Sequence, residues 1–419
     1  MSSRHLHSHS NPSPPSVTLP DEVLTEILSR LPVKSLIQMK SVCKSWKTLI
    51  SHPSFIKIHL NHSLSSQNPY SYLFYVNNWT QNHKYVFIPF PVNHLLENHP
   101  ITLPEDPYFI LNGDKDCHEV VGSCNGLVCL RGYSFPDEDN TLMWLRLWNP
   151  ATRTISNKLG FLYDSDYNWC FWNLVFGYDN STHTYKVVAL DCDGIDGKVR
   201  VYIFGDKVWT SIQNFPVTAM RLYSRDSRMR GRFTAMRLAM RLYLMDLRMY
   251  SGVHFSSTVN WVTTVSNDNV YQVVIVSLDL GTETYTQLPP PPGYEKVARV
   301  IPSVCVLANL FCFYHDYEAT DFVIWKMEEF GNENSWSQIF KFSYQNLGMN
   351  RKLEPGRLRF ELMPLHLSES DDTVVLANNL QDCAILYNRR TNRAKKTRID
   401  NRIRWFSMND YVESLVSTS

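Results

Sequence analysis

The sequence has no apolar run of about 18 residues, the length needed to cross a bilayer as a helix, so no helical membrane span is expected. Its first residues, MSSRHLHSHSNPSPPS, contain no apolar core segment and do not read as a secretory signal. No two of the 9 cysteines (Cys43, Cys117, Cys124, Cys129, Cys170, Cys192, Cys305, Cys312 and Cys383) form a C-x-x-C pair. An odd, scattered set in a chain without a signal segment fits reduced thiols in the cytoplasm and/or the nucleus, not a zinc site or a disulfide framework. One-sided charge is also lacking. The formal net charge is +1, so the whole chain shows no bias toward nucleic acid or membrane, and neither is expected as a partner.

Catalytic patterns are missing too. There is no G-x-S-x-G, no phosphate-cradling glycine loop and no H-E-x-x-H. Asp191, Asp193 and Asp196 in DCDGIDG resemble part of a calcium loop, but the bidentate Glu that ends such a loop is absent, and a polar hairpin turn explains them. Asp137, Glu138 and Asp139 read as a second acidic loop. His5, His7 and His9 alternate within a Ser- and Pro-rich stretch that reads as a solvated tail. No catalytic residue, metal ligand set or cofactor is expected.

What the sequence does have is aromatic and β-forming residues. Aromatics make up 13%, with 11 Trp and 22 Tyr, against 44% hydrophobic and 19% charged residues overall, which favours strands and a folded chain. At roughly 100–200 residues per domain, 419 residues allow two or three domains, or one small unit and a large repeat-built one.

The stretch LPDEVLTEILSRLPVKSLIQMKSVCKSWKTLI, Leu19–Ile50, departs from the strand pattern. Pro20 followed by Asp21 and Glu22 is a helix start. Val23, Leu24, Ile27, Leu28 and Leu31 recur at helical spacing and form one apolar face. Pro32 ends that helix. Val33, Leu36, Ile37 and Met39 give a second helix. Val42, Cys43, Trp46, Leu49 and Ile50 give a third, closed by His52-Pro53. Three short helices in about forty residues cannot bury this much apolar surface alone. Part of it packs on the rest of the chain or meets a partner.

The positions Leu19-Pro20 with an acid next, Ile27-Leu28, Leu31-Pro32-Val33, Leu36 and Val42-Cys43-Lys44-Ser45-Trp46 resemble an F-box, and Pro53, Phe55, His59 and Leu60 continue the likeness. The resemblance covers roughly residues 17–60. It implies helix-in-groove docking on the Skp adaptor and, through it, on a cullin of a ubiquitin ligase. The contact residues it implies are Leu19, Pro20, Val23, Ile27, Leu28, Leu31, Pro32, Leu36, Val42 and Cys43, some of which must instead hold the helices together.

From about Cys117 one phrase recurs. VVGSCNGLVCL places Asn125-Gly126, a strong hairpin signal, between apolar runs. A hydrophobic–Asn/Asp–x–x–Thr turn follows at Asn149–Thr152 and repeats at Asp279–Thr282 and Asn388–Thr391. Units of roughly forty to fifty residues suit propeller blades, and residues 117–412 would hold about six. A β-sandwich with coincidental turns is the alternative. The pieces Gly122–Leu127, Trp148-Asn149-Pro150, Phe176–Asp179, Tyr185–Val188, Val259-Asn260-Trp261, Leu278-Asp279-Leu280, Ile324–Met327 and Ser335-Trp336 resemble the F-box-associated, kelch-like domain of a large plant family.

The expected fold is therefore α+β and multidomain. It comprises a tail over 1–16, a three-helix F-box over 17–60, a connector with first strands over 61–116, an all-β propeller over 117–412 and a C-terminal tail over 413–419. The resemblance implies a non-catalytic substrate-recognition subunit of a Skp–cullin–F-box ligase whose target is unknown. The rival reading is a propeller that binds a small molecule or glycan, with the helical unit only structural.

Two basic runs interrupt the pattern. Residues 218–250 hold eight Arg against two Asp, and a shift of twenty residues aligns Arg221-Leu222-Tyr223 with Arg241-Leu242-Tyr243, as in a tandem duplication. A duplicated rim loop is the preferred reading over a basic amphipathic helix. Residues 388–404 hold eight Lys or Arg against one Asp. This run reads either as solvated charge on a blade turn or as an import signal or patch for an acidic partner.

Overall fold

In the computed structural model the chain forms two compact units, residues 1–66 and 67–419. The structure describes residues 19–65, 71–78, 84–91, 96–97, 110–111, 117, 119–134, 136, 140–165, 172–191, 197–216, 252–267, 270–294, 302–318, 320–347, 362–368, 372–378, 383–398 and 409–418. The histidine tail, the acidic loop at 137–139, most of the DCDGIDG loop and the duplicated basic segment lie outside them.

The first unit has four helices where the sequence points to three: α1 (Asp21–Leu28), α2 (Val33–Met39), α3 (Lys44–Ser51) and α4 (Pro53–Ser65). Pro20 and Pro32 sit one residue ahead of α1 and α2, with ψ of 145° and 147°, so each holds the chain extended before the first turn. His52-Pro53 does end α3, but Pro53 is also the first residue of α4. There its missing N–H costs nothing and its fixed φ already suits a helix. The unit therefore runs past residue 60. Leu28, Val33, Leu36, Ile50 and Phe55 are at most 2% exposed. The Nε2–H of buried His59 on α4 donates to the Leu31 carbonyl across 3.0 Å, tying the last helix to the end of the first.

The second unit is built of antiparallel sheets, six among the described residues. Sheet two holds Glu119–Cys124, Leu127–Ser134, Asn140–Asn149 and Thr154–Ile155, with Leu159–Ser165 pairing beside Asn140–Asn149. Sheet three holds Trp172–Asp179, Thr184–Asp191, Val199–Ile203 and Val208–Ser211. Sheet four holds Val253–Phe255, Thr258–Asn267, Val270–Asp279 and Tyr285–Leu288. Sheet five holds Ser303–Leu307, Leu310–Tyr317, Asp321–Met327 and Trp336–Ser343. Sheet six holds Leu362–Ser368, Thr373–Asn378, Cys383–Asn388 and Arg393–Arg398. Sheet one joins Ser71–Asn78, Lys84–Pro91 and Ile110–Leu111 to the last strand of the chain, Asn409–Tyr411. The described parts of the segments YSYLFYV and KYVFIPFPV, within Ser71–Asn78 and Lys84–Pro91, thus pair as strands of the β unit.

Side-chain alternation shows how the sheets stack. In Leu127–Ser134, Leu127 and Cys129 pack with Phe176, Val187 and Tyr202 of sheet three. Val128 and Leu130, pointing the other way, pack with Tyr411 of sheet one. In sheet three, Val187 and Ala189 face sheet two, while Val188 and Leu190 face Trp261 and Val276 of sheet four. Phe311 and Phe313 of sheet five face Ile275 of sheet four. Cys312 and Tyr314 face Val374 and Leu376 of sheet six. Strands buried on both faces read as continuous apolar runs, because successive residues serve different interfaces. Such serial face-to-face stacking belongs to a propeller, not to a two-sheet sandwich.

The turns repeat with the sheets. First hairpins in sheets two, four and five are two-residue turns with both residues at positive φ: Asn125-Gly126, Ser256-Ser257 and Ala308-Asn309. This is the mirror-image turn whose twist matches the strands. The Asx phrase forms a second module. Asn149, Asp279 and Asn388 accept from the backbone N–H three residues on, at 3.2, 2.7 and 2.9 Å. The residue after that Thr is left-handed each time: Arg153, Glu283 and Asn392.

The last residues are not a free tail. Ser414 and Leu415 are buried. The Asn149 side-chain amide donates to the Ser414 and Val416 carbonyls at 3.0 and 2.8 Å, and the Ala151 N–H donates to the Tyr411 hydroxyl at 3.1 Å. A Cβ on Gly126 would lie 2.6 Å from the Val412 carbonyl oxygen, so the turn that carries it must be bare there. The expected tail at 413–419 is, over its described residues, a strap across sheet two.

Buried histidines give the fold a pH dependence. Burial, helped by nearby Lys341, pushes His315 down to about 4, and burial pushes His366 down to about 4. Unfolded histidine titrates at ~6.5. Between those values the unfolded chain binds more protons, so stability is expected to fall as pH drops from about 6.5 to 4. The steepest loss is ~1.4 kcal/mol per pH unit per histidine. Urea midpoints at pH 7, 5.5 and 4.5 measure it. His315→Gln is expected to flatten the slope, and an unchanged slope would remove His315 from the account.

Candidate docking site on the helical unit

Helix α1 carries apolar side chains on an exposed face as well as on its buried one. Leu28 turns inward and is 2% exposed, while Leu19, Val23 and Ile27 are 51%, 45% and 50% exposed at four-residue spacing. Residues four apart share a helix face, so Val23 and Ile27 lie on one face of α1, and Leu19 is exposed in the extended segment just ahead of it. Its first turn carries Asp21 and Glu22. At the turn between α2 and α3, Val42 is 65% exposed, and Ile37 on α2 is 38% exposed. With Ile58 on α4, six branched aliphatic side chains are exposed on this small unit, a dense set of exposed apolar residues.

Of the ten residues that the sequence nominates, the structure leaves Leu19, Pro20, Val23, Ile27, Pro32, Val42 and Cys43 exposed. Leu31 is half-buried. Leu28 and Leu36 are interior side chains, at 2% and 0% exposure, and hold the helices together. Exposed Ile37 is an addition that spacing alone had marked as part of a helix face. Trp46 is half-buried. Polar contacts lie elsewhere on the unit: Glu26 pairs with Arg30 one turn on and lies 3.9 Å from His62.

Cys43 precedes α3 in extended backbone, φ −156°, and its Sγ lies 3.1 Å from the Ser45 hydroxyl. That contact, with backbone N–H groups of Trp46 and Ser45, holds the exposed thiol below its ordinary range.

Among the described residues of the β unit, Phe161 and Tyr163 are 54% and 61% exposed on the strand Leu159–Ser165, and Val208 and Tyr317 are exposed singly on other strands. Among the described residues no three His, Cys, Asp or Glu side chains come together as a metal site. Its buried titratable groups are structural. Asp179 and Lys186 lie 3.1 Å apart with side chains 1% and 5% exposed, and Glu119 pairs with Arg131 in the same way in sheet two. Cys124 Sγ is 3.9 Å from His254 Nδ1, but burial pushes the thiol up to about 12, so it stays protonated and inert.

Comparison with known proteins agrees with both units. Residues 18–58 match the F-box domain model, and residues 235–418 match the model of the F-box associated beta propeller domain. An F-box/kelch-repeat protein of Arabidopsis thaliana is 28% identical over 334 residues, covering 77% of this chain and 78% of that protein. The Arabidopsis F-box protein CPR1 is 24% identical over 351 residues, covering 77% and 72%.

Proposed function

Since this chain belongs to the plant F-box family, we propose that it is the target-recognition subunit of a Skp–cullin–F-box ubiquitin ligase. The helical unit docks on a Skp-type adaptor. The β unit holds a target protein, and transfer of ubiquitin follows from proximity, with no chemistry on this chain. The observation that carries this reading is the exposed pair Val23 and Ile27 on one face of α1, with Leu19 ahead of the helix and Val42 elsewhere on the unit exposed as well. Aliphatic side chains at four-residue spacing are what a helix needs to lie in an apolar groove. Such a subunit works where its ligase works, in the cytoplasm and/or the nucleus.

Burying one exposed aliphatic side chain is worth ~1.5–3 kcal/mol, and a carboxylate placed in the same groove is worse than nothing. Val23→Asp and Ile27→Asp, each alone, are expected to weaken the adaptor complex by at least ~tenfold, and the pair is expected to abolish it in gel filtration with a co-expressed plant Skp adaptor. Both sites are half exposed, so the helical unit keeps its circular dichroism and melting behaviour. Leu36→Asp fails for another reason: it unfolds the unit, because its side chain is fully buried. A complex that survives the Val23/Ile27 pair, or none from the folded wild-type chain, sinks the adaptor reading.

A further inference from the structure

The outermost strands of the sheets differ in charge. Val208–Ser211 (VWTS) and Tyr285–Leu288 (YTQL) carry no charge, and Trp336–Ser343 (WSQIFKFS) carries one Lys in eight residues. Arg393–Arg398 (RAKKTR), the edge strand of sheet six, carries four basic residues in six. Positive charge is a common guard against edge-to-edge aggregation. Yet the longer edge at Trp336–Ser343 carries a single Lys, so four basic residues in six are more than guarding an edge needs.

The hairpin before it is fixed. Asn388 accepts from the Thr391 N–H and hydroxyl, both at 2.9 Å. The Asn392 side chain accepts from Tyr387 and from Asn346 of the segment leaving sheet five, at 2.8 and 2.9 Å. Arg389 and Arg390 share Asp372, and Arg389 also donates to the Ile339 carbonyl at 3.0 Å. These two guanidiniums hold the Asp372 carboxyl below its usual range. Arg393, Lys395 and Lys396 are exposed and make no ion pair among the described residues. A rigid edge therefore offers a row of backbone donors and acceptors beside three unneutralised cations.

We infer that this edge strand takes an acidic, extended peptide segment of a partner protein, which adds to sheet six as a further strand. The backbone ladder supplies the pairing, and carboxylates at alternate positions, all on one face of the added strand, meet Arg393 and Lys395, while Lys396 adds positive charge at the same edge. Nucleic acid fits less well, since none of the aromatic side chains of this strand and its hairpin stands free beside the cations to stack bases; Tyr387 is buried. This places the target-holding surface of the proposed adaptor, and rests on that reading only in calling the peptide's owner a target.

The test uses the full chain with its co-expressed adaptor. Fluorescence anisotropy reads binding of a labelled twelve-residue peptide of alternating Glu and Val. A second peptide has the same sequence with every other amide N-methylated, which removes ladder hydrogen bonds and keeps the charge. We expect the first peptide to bind and the N-methylated one to bind at least ~tenfold more weakly. The triple change Arg393→Glu, Lys395→Glu and Lys396→Glu is expected to lower affinity ~30-fold or more, and its all-Gln counterpart by a smaller factor, with unchanged melting. Equal binding of both peptides, binding unaffected by either triple change, or tighter binding of a twelve-nucleotide single-stranded DNA overturns the inference. Absence of peptide binding while the adaptor complex forms also overturns it and leaves the adaptor reading standing. Peptide binding without an adaptor complex does the reverse.

Discussion

Ending the chain after residue 408 is expected to destroy cooperative unfolding of the β unit while leaving the helical unit able to bind its adaptor. The deletion removes Asn409–Tyr411, whose pairing with Leu73–Ser71 joins the end of the chain to sheet one. It also removes the strap Val412–Thr418 from sheet two. Tyr411 is 2% exposed and packs with Val128, Leu130 and Trp148. Replacing a buried aromatic by Ala costs ~3–5 kcal/mol, so Tyr411→Ala alone consumes much of a domain's margin of ~5–15 kcal/mol. The truncation adds the lost strand and leaves the Asn149 amide without its two carbonyl partners. Urea titration followed by near-UV circular dichroism, beside adaptor co-purification, reads both parts. A truncated chain that unfolds with the wild-type midpoint and slope would show that the closing strand contributes little.

Asp179→Ala is expected to destabilise the β unit by ~3–5 kcal/mol, among the largest effects of any single substitution here. The carboxylate accepts from the Ser181 N–H and hydroxyl at 2.9 and 2.7 Å, from Thr182 at 2.6 Å and from Lys186 at 3.1 Å. Burial by itself raises such a carboxyl. The hydrogen bonds from Thr182, Ser181 and Lys186 outweigh it and hold the group far below the usual carboxylate range. Lys186 also donates to the Leu280 carbonyl, so the pair ties sheet three to the turn of sheet four. Removing Asp179 leaves a buried ammonium without its counter-charge, and most of the loss comes from that. Asp179→Ala combined with Lys186→Met is therefore expected to recover more than half of the stability, as measured by the coupling in a double-mutant cycle. Equal losses for the single and double variants would mean that the charge pair is not the cause. Because the folded pKa is depressed, this contribution is complete above the unfolded carboxylate value near ~4 and disappears as pH falls toward the folded one.

The same residues show what a sequence can and cannot reveal. The Asx phrase was legible at 149, 279 and 388 because it sits between the third and fourth strands of a sheet each time. Asp179-Asn180-Ser181-Thr182-His183-Thr184 is the same phrase, with His183 left-handed and the hydroxyls of Thr182 and Thr184 2.7 Å apart, but it joins a first strand to a second. Its Asp-x-x-Thr-x-Thr spacing matches that of Asp279–Thr284 and was the available signal. The exposed pair Val23 and Ile27 was legible as a helix face, yet α1 has apolar residues on two faces. Spacing alone does not tell Ile27, at 50% exposure, from Leu28, at 2%. Helix α4 was obscured by Pro53, which ends one helix and begins another. The closing strand left no local trace, being three residues long and paired with residues more than three hundred positions earlier.

That long-range pairing sets an order of events during synthesis. The helical unit leaves the ribosome complete, with its exposed apolar residues in place, while sheet one still lacks the strand Asn409–Tyr411. At ~5–20 residues per second, the interval between the two ends of that pairing is roughly 20–70 s. Throughout it the edge of Ser71–Asn78 faces no partner from its own chain. A nascent chain therefore presents a finished plug and an open sheet edge together, and an adaptor that binds early holds a reader that has not yet closed.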